Sequence, residues 1–226
     1  MRNGLTTATD KQISKGVMRN MRKTGLIAGI LTFAAVSFIT FGLTGNTAKA
    51  LEKGETINRE GVVYKIEKMP EGENAGKVVI TDWDGEGSTV RIYANIESDG
   101  YKFVCSEMED NAFANEKSIK YVYVSAACEL KKIPTGAFSG CTNLKEIQLN
   151  MNTLTSIGKN AFKNCKNLTK ITIRSDKLKK ANLKKNSFLG VGDITVYIEK
   201  MKCEKYADWI EGKGGAESAV AKAAKD

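Results

Sequence analysis

The chain has 226 residues, 35 of them Lys or Arg and 26 Asp or Glu, giving a formal net charge of +9. It contains no histidine, which removes the usual general base and the commonest metal ligand, and with them Ser–His and Cys–His catalysis and histidine-ligated zinc. Residues 1–50 hold seven of the bases and one acid, leaving 28 bases and 25 acids; the excess sits in the leader, so the high overall pI does not argue for nucleic acid as a partner.

The chain opens with the features of an exported protein. Met18-Arg-Asn-Met-Arg-Lys23 is a basic stretch, Thr24–Ala48 carries no charge, and its core Leu26–Phe41 is strongly apolar. Gly42, Gly45 and Asn46 then loosen any helix, and Ala48-Lys49-Ala50 places small residues at −3 and −1 before Leu51. This predicts a signal peptide over residues 1–50, cleaved between Ala50 and Leu51, with translation starting at Met1, Met18 or Met21. The rival is a retained membrane anchor, because the uncharged run approaches the roughly 20 residues that span a bilayer. Membrane contact is then expected only through an uncleaved leader.

Residues 51–98 read as an N-terminal β cap with strands at Val62–Ile66, Val78–Ile80 and Thr89–Ile92. Between them Asp82-Trp83-Asp84-Gly85-Glu86-Gly87 has alternating acids like a calcium loop, but twelve residues from Asp82 the position that needs a bidentate Glu is Tyr93. A tight turn is the better reading.

Residues 99–200 repeat with a period near 25. Ala137-Phe138-Ser-Gly-Cys141-Thr-Asn-Leu144-Lys-Glu-Ile147-Gln-Leu149 aligns with Ala161-Phe162-Lys-Asn-Cys165-Lys-Asn-Leu168-Thr-Lys-Ile171-Thr-Ile173. Weaker copies centre on Phe113 and Phe188, so the Phe-to-Phe spacings are 25, 24 and 26. Each Ile-x-Leu ending predicts a half-buried strand, and each segment around the Phe predicts a short helical turn that drops the ring into the core. One unit buries too little alone, so the copies must stack. Cys141 and Cys165 occupy one repeat position, where a small buried residue is wanted. There is no C-x-x-C among the five cysteines, so no metal or redox motif and no cofactor is implied. Residues 201–226 predict a short C-terminal helical cap and tail, with helix formers on either side of Gly212-Lys-Gly-Gly215.

The quoted repeats, with Gly100-Tyr101-Lys-Phe103-Val104 and Asn111-Ala-Phe113 as their lead-in, resemble the BspA-like leucine-rich-repeat family of bacterial surface proteins. The resemblance implies an α/β repeat solenoid, strand-rich with short helical turns, flanked by the β cap and the C-terminal helix. It also implies a secreted or cell-surface binding module, often adhesive, and not an enzyme.

Alternation along the strands places Tyr121 and Tyr123, Glu146 and Gln148, Lys170 and Thr172, and Thr195 and Tyr197 side by side on the concave face. These are the candidate ligand-binding residues, suited to an extracellular protein, peptide or glycan. Four strands at about 4.8 Å span only about 14 Å, which favours a peptide, a glycan or a weak multivalent contact. Two other readings stand beside this one. The first is a cell-envelope spacer without a ligand. The second is a carbohydrate-active enzyme using paired carboxylates, for which Glu146 and Glu199 are the outward acids. Residues 51–116 carry net −8 and residues 117–226 net +11, a polarity that draws anionic partners to the C-terminal half or merely solvates a Lys-rich surface.

Overall fold

A computed structural model describes residues 50–198 and 205–224. The predicted leader up to Lys49 lies outside the described residues, as do Glu199 and Cys203. Among the described residues no helix is long and apolar enough to cross a membrane.

The N-terminal part contributes β1 (Thr56–Arg59), β2 (Val62–Lys68), β3 (Gly76–Trp83), β4 (Thr89–Ile92), β5 (Asn95–Ser98) and β6 (Tyr101–Met108). Five of these form one mixed sheet in the order β1-β2-β3-β6-β5, with β3–β6 parallel and the other pairs antiparallel. Two tight hairpins fix its register. Glu60-Gly61 and Asp99-Gly100 each place two successive residues at positive φ (51° and 87°, 50° and 79°), the geometry whose twist matches paired strands. The acidic segment 82–87 carries the chain out of this sheet, and Trp83 lies over Gly61 and Gly85 so closely that a Cβ on either would overlap its ring.

β4 departs from that sheet and starts a second one. With β7 (Tyr121–Val124), β9 (Glu146–Leu149), β11 (Lys170–Ile173), β12 (Asp193–Ile198) and β13 (Ser218–Ala223) it forms a six-stranded, wholly parallel sheet in the order β13-β12-β11-β9-β7-β4. The molecule is therefore a strand-rich β-solenoid whose coils each add one strand. The inward residues Val90, Val122, Ile147, Ile171 and Val196 are fully buried, and each contributes about 1.5–3 kcal/mol by leaving water. A second, shorter ladder runs along another side of the coil: β8 (Lys132–Ile133) pairs in parallel with β10 (Ser156–Ile157), continued by a bridge from Ile157 to Leu183.

The repeat phenylalanines form a stack through the core. Phe113–Phe138, Phe138–Phe162 and Phe162–Phe188 have ring centroids 5.0, 5.5 and 4.9 Å apart, the first two pairs parallel within 2°. Around each ring the backbone makes tight turns, not the expected helical turn. The residues two before and two after each Phe lie in the left-handed region: Asn111 and Asn115, Gly136 and Gly140, Asn160 and Asn164, Asn186 and Gly190. A right-handed helix has no place for such residues, and Asn and Gly are the types that tolerate them. The benefit is registration: Phe113, Phe138 and Phe162 donate their N–H to the carbonyls of Ala137, Ala161 and Ser187 in the next coil at 2.8, 2.8 and 2.7 Å.

The C-terminal segment departs from expectation in half of its length. Helix α1 (Lys205–Gly212) is present, and Gly214 then completes the turn ladder by accepting from Phe188 N at 2.7 Å. The Ala-rich stretch of helix formers expected as the tail is instead β13. Its register with β12 runs from Ser218 opposite Asp193 to Ala223 opposite Ile198. The open edge of β12 offers a row of backbone partners, and that tertiary demand outweighs alanine's helix propensity of a few tenths of a kcal/mol per residue.

Candidate functional site

The register of the parallel sheet lines up its outward residues in two rows. One runs Thr89, Tyr121, Glu146, Lys170, Thr195, Val220; the other runs Arg91, Tyr123, Gln148, Thr172, Tyr197, Lys222. All eight positions placed on this face by sequence alternation lie in these rows, and Tyr197 stands opposite Thr172 although its repeat is one residue shorter before the strand. Sequence alternation in the repeats alone does not reach Thr89, Arg91, Val220 and Lys222, which the same rows also contain. The first two carry a sequence signal, since Val90 and Ile92 alternate with them as Val122 and Val124 do with the tyrosines. The last two carry none, because their segment reads as helix.

Six strands at about 4.8 Å spacing make the face about 24 Å wide, not the 14 Å expected from four. Four residues per strand give about 13 Å in the other direction. The resulting area, roughly 300 Å², is still below the ~800 Å² per partner of a standard protein interface.

Lys170 is the electrostatic centre of the face. Its Nζ lies 2.9 Å from Glu146 Oε1 and 5.0 Å from the centroid of the Tyr197 ring. The same carboxylate oxygen accepts from Gln148 Nε2 at 2.7 Å. The hydrogen bond to Glu146 holds the Lys170 ammonium above its ordinary pKa, partial burial works against it, and the Glu146 charge, Tyr197 and Tyr123 add to the rise. Tyr121, Tyr123 and Tyr197 are half-buried. Thr172 is different: it is 7% exposed, enclosed by its neighbours in the row, and offers a ligand almost no surface. Just past β4, Tyr93 donates its hydroxyl to Glu60 at 3.0 Å, and the Arg59 guanidinium stands 4.3 Å from its ring centroid.

Glu146, the one described acid of the carboxylate-pair reading, is engaged by Lys170 and Gln148. Among the described residues no three His, Cys, Asp or Glu side chains come together as a metal site. Cys105, Cys128, Cys141 and Cys165 are buried free thiols. Cys141 Sγ donates to the Phe113 carbonyl at 2.9 Å and Cys165 Sγ to the Phe138 carbonyl at 3.1 Å, so the repeated cysteine serves packing and one internal hydrogen bond. Burial pushes the Cys141 thiol up to about 12 and raises Cys165 as well.

Residues 105–202 match the model of a protein family described as BspA type leucine rich repeat region, in six copies. No curated protein matches the chain. Among solved structures, a leucine-rich repeat protein from Bacteroides capillosus ATCC 29799 is 21% identical, covering 64% of this chain and 99% of that one, with a TM-score of 0.51; it shares the fold. A leucine rich cell surface protein from Faecalibacterium prausnitzii A2-165 is 18% identical over 67% of this chain and 46% of its own, with a TM-score of 0.44. A leucine rich repeat protein from T. pallidum is 18% identical over 63% of this chain and 71% of its own, with a TM-score of 0.39.

Proposed function

We propose that the protein, whose residues 105–202 match a BspA type leucine rich repeat region, is an exported binding module which recognises a peptide, a glycan or an extracellular protein through the outward face of its parallel sheet. The observation that carries this reading is the grouping of Tyr121, Tyr123, Lys170 and Tyr197 in adjacent rows. Tyrosine supplies rigid apolar area with a hydrogen-bonding tip, and contact surfaces are enriched in it. Lys170 adds attraction for acidic groups. Export rests on the leader, and intact-mass analysis of secreted material is its direct check: a mature form that begins at Leu51 supports it, and one that keeps residues 24–48 replaces it with an anchor.

The binding reading is tested by probing the protein on glycan and extracellular-matrix arrays and then comparing Tyr121→Ala with Tyr123→Ala as a double variant. Binding should weaken while the melting temperature stays nearly unchanged. Unchanged affinity in a folded double variant moves the site off this face. The spacer reading gains from one specific feature, the mutual satisfaction of Glu146, Gln148 and Lys170, and an array without any specific signal favours it.

A further inference from the structure

A second concave place lies away from the outward face of the sheet. It shares no residue with the rows of the sheet and does not depend on them. Between the turn of 3-10 helix at Lys180–Asn182 and the C-terminal end of α1 lies an open cavity of about 460 Å³, within the roughly 300–1,000 Å³ of small-molecule sites. Lys180, Lys185, Asn186, Asp208, Gly212 and Gly215 line it together with Lys213.

Its walls are fixed by bonds that cross it. Lys213 Nζ donates to the carbonyls of Lys180 at 2.9 Å and Ala181 at 3.4 Å, pinning the 3-10 turn to the loop after α1. The Lys213 carbonyl accepts from Asn186 N at 3.3 Å, and Gly215 N donates to Glu211 O at 3.1 Å. Lys213 is therefore committed to the framework. Lys180 and Lys185 are exposed and have no ion pair among the described residues. They belong to a run, Lys177-Leu-Lys-Lys-Ala-Asn-Leu-Lys-Lys185, that holds five lysines and no acid.

The chemistry of the lining selects a class of ligand. Two free ammonium groups call for an anion. Asp208 opposes a bare anion but accepts hydrogen bonds from hydroxyls, and the Asn186 amide both donates and accepts. Gly212 leaves open space where a side chain would stand, so a ring can approach the backbone. We propose that this cavity binds an acidic saccharide, with its carboxylates on Lys180 and Lys185 and its ring hydroxyls on Asp208 and Asn186.

Calorimetric titration of the protein at physiological ionic strength tests this with digalacturonate as the probe and with lactose and inorganic phosphate as comparisons. Digalacturonate should bind, and both comparisons should bind at least about tenfold more weakly, since each lacks one of the two kinds of contact. Lys180→Gln with Lys185→Gln should weaken digalacturonate about tenfold. Lys159→Gln with Lys166→Gln, which removes the same charge from the turn layer, should change it less than about twofold. Asp208→Ala should bind it more weakly than Asp208→Asn, because the amide keeps an acceptor for a ring hydroxyl that the methyl lacks, while both variants remove the same charge. Far-ultraviolet circular dichroism and melting confirm that each variant is folded. Absence of binding at about 10 mM digalacturonate, equal losses in the two lysine pairs, phosphate binding as tight as digalacturonate, or binding by Asp208→Ala as tight as by Asp208→Asn would each overturn the proposal.

Discussion

Cys165 donates its thiol hydrogen to the carbonyl of Phe138, one coil earlier, at 3.1 Å, and Cys141 repeats the bond to Phe113 at 2.9 Å. A thiol so placed is both buried and occupied. Reaction needs the thiolate, and with its pKa pushed up to about 12 by burial Cys141 is ionised at pH 8 to only about one part in 10⁴. In the native protein at pH 8, iodoacetamide should therefore leave Cys141 and Cys165 unmodified over hours, and in guanidinium both should react within minutes. Peptide mass mapping reads the result; rapid native labelling of either would mean the coil opens locally at that turn.

The aromatic stack sets the largest single stability term we expect from one substitution. Phe162 has a ring on each side, at 5.5 Å and 4.9 Å, and is fully buried. Phe162→Ala should cost about 3–5 kcal/mol through lost transfer and the cavity left behind. Urea unfolding followed by circular dichroism measures it. A loss below about 1 kcal/mol is the size of an ordinary surface change and would contradict the stack.

The stack and the strands were legible in the sequence because they rest on short-range periodicity. Phe, Cys, Leu and the Ile-x-Leu ending recur in register, and every one of those positions in the two strong copies is buried. The outward rows follow from the same alternation, given parallel stacking. Other features depend on non-local pairing and were not legible. Thr89–Ile92 reads as a strand, but nothing local says that its partner is Tyr121–Val124. Ser218–Ala223 is Ala-rich and reads as helix; only the open edge of β12 makes it a strand. The turns fall between these cases. Asn or Gly at two residues before and after each Phe was present in the sequence, and that pairing marks left-handed turns and argues against a helical one.

Ser187 is the one departure from that turn pattern whose consequence is simple. The residue before Phe is Ala112, Ala137 and Ala161 in the other coils and serine here. Ser187 is fully buried, and its hydroxyl has no partner among the described residues. Its backbone carbonyl still accepts from Phe162 N at 2.7 Å, so the coil needs only the main chain. Ser187→Ala should stabilise the protein by about 1 kcal/mol, the lower end of what an unpaired buried polar group costs. A rise in the urea midpoint at constant slope is the expected result; a fall of similar size would show that the hydroxyl is bonded in solution.

The buried thiols also fix how stability should respond to alkali. Cys141 and Cys165 are acids whose folded pKa lies above the unfolded value, 9.0 rising to about 12 for Cys141, with Cys165 shifted the same way by burial. The fold therefore favours the protonated thiol. Below pH 9 both states keep the proton and the contribution is fully present. Above pH 9 the unfolded chain ionises while the folded chain does not, so stability falls until the folded pKa is reached. The slope can approach about 1.4 kcal/mol per pH unit per thiol. Lys170, raised chiefly by its hydrogen bond to Glu146, has the same sign, since its contribution is also present at lower pH and lost as pH rises through the folded value. Its exposed position makes that contribution small. The urea midpoint should thus be level from pH 6 to 8 and decline from about pH 9 upward. Cys141→Ala with Cys165→Ala should lower stability at pH 7 through lost packing yet flatten the alkaline decline. A double variant with the same slope between pH 9 and 11 would assign that decline to other groups.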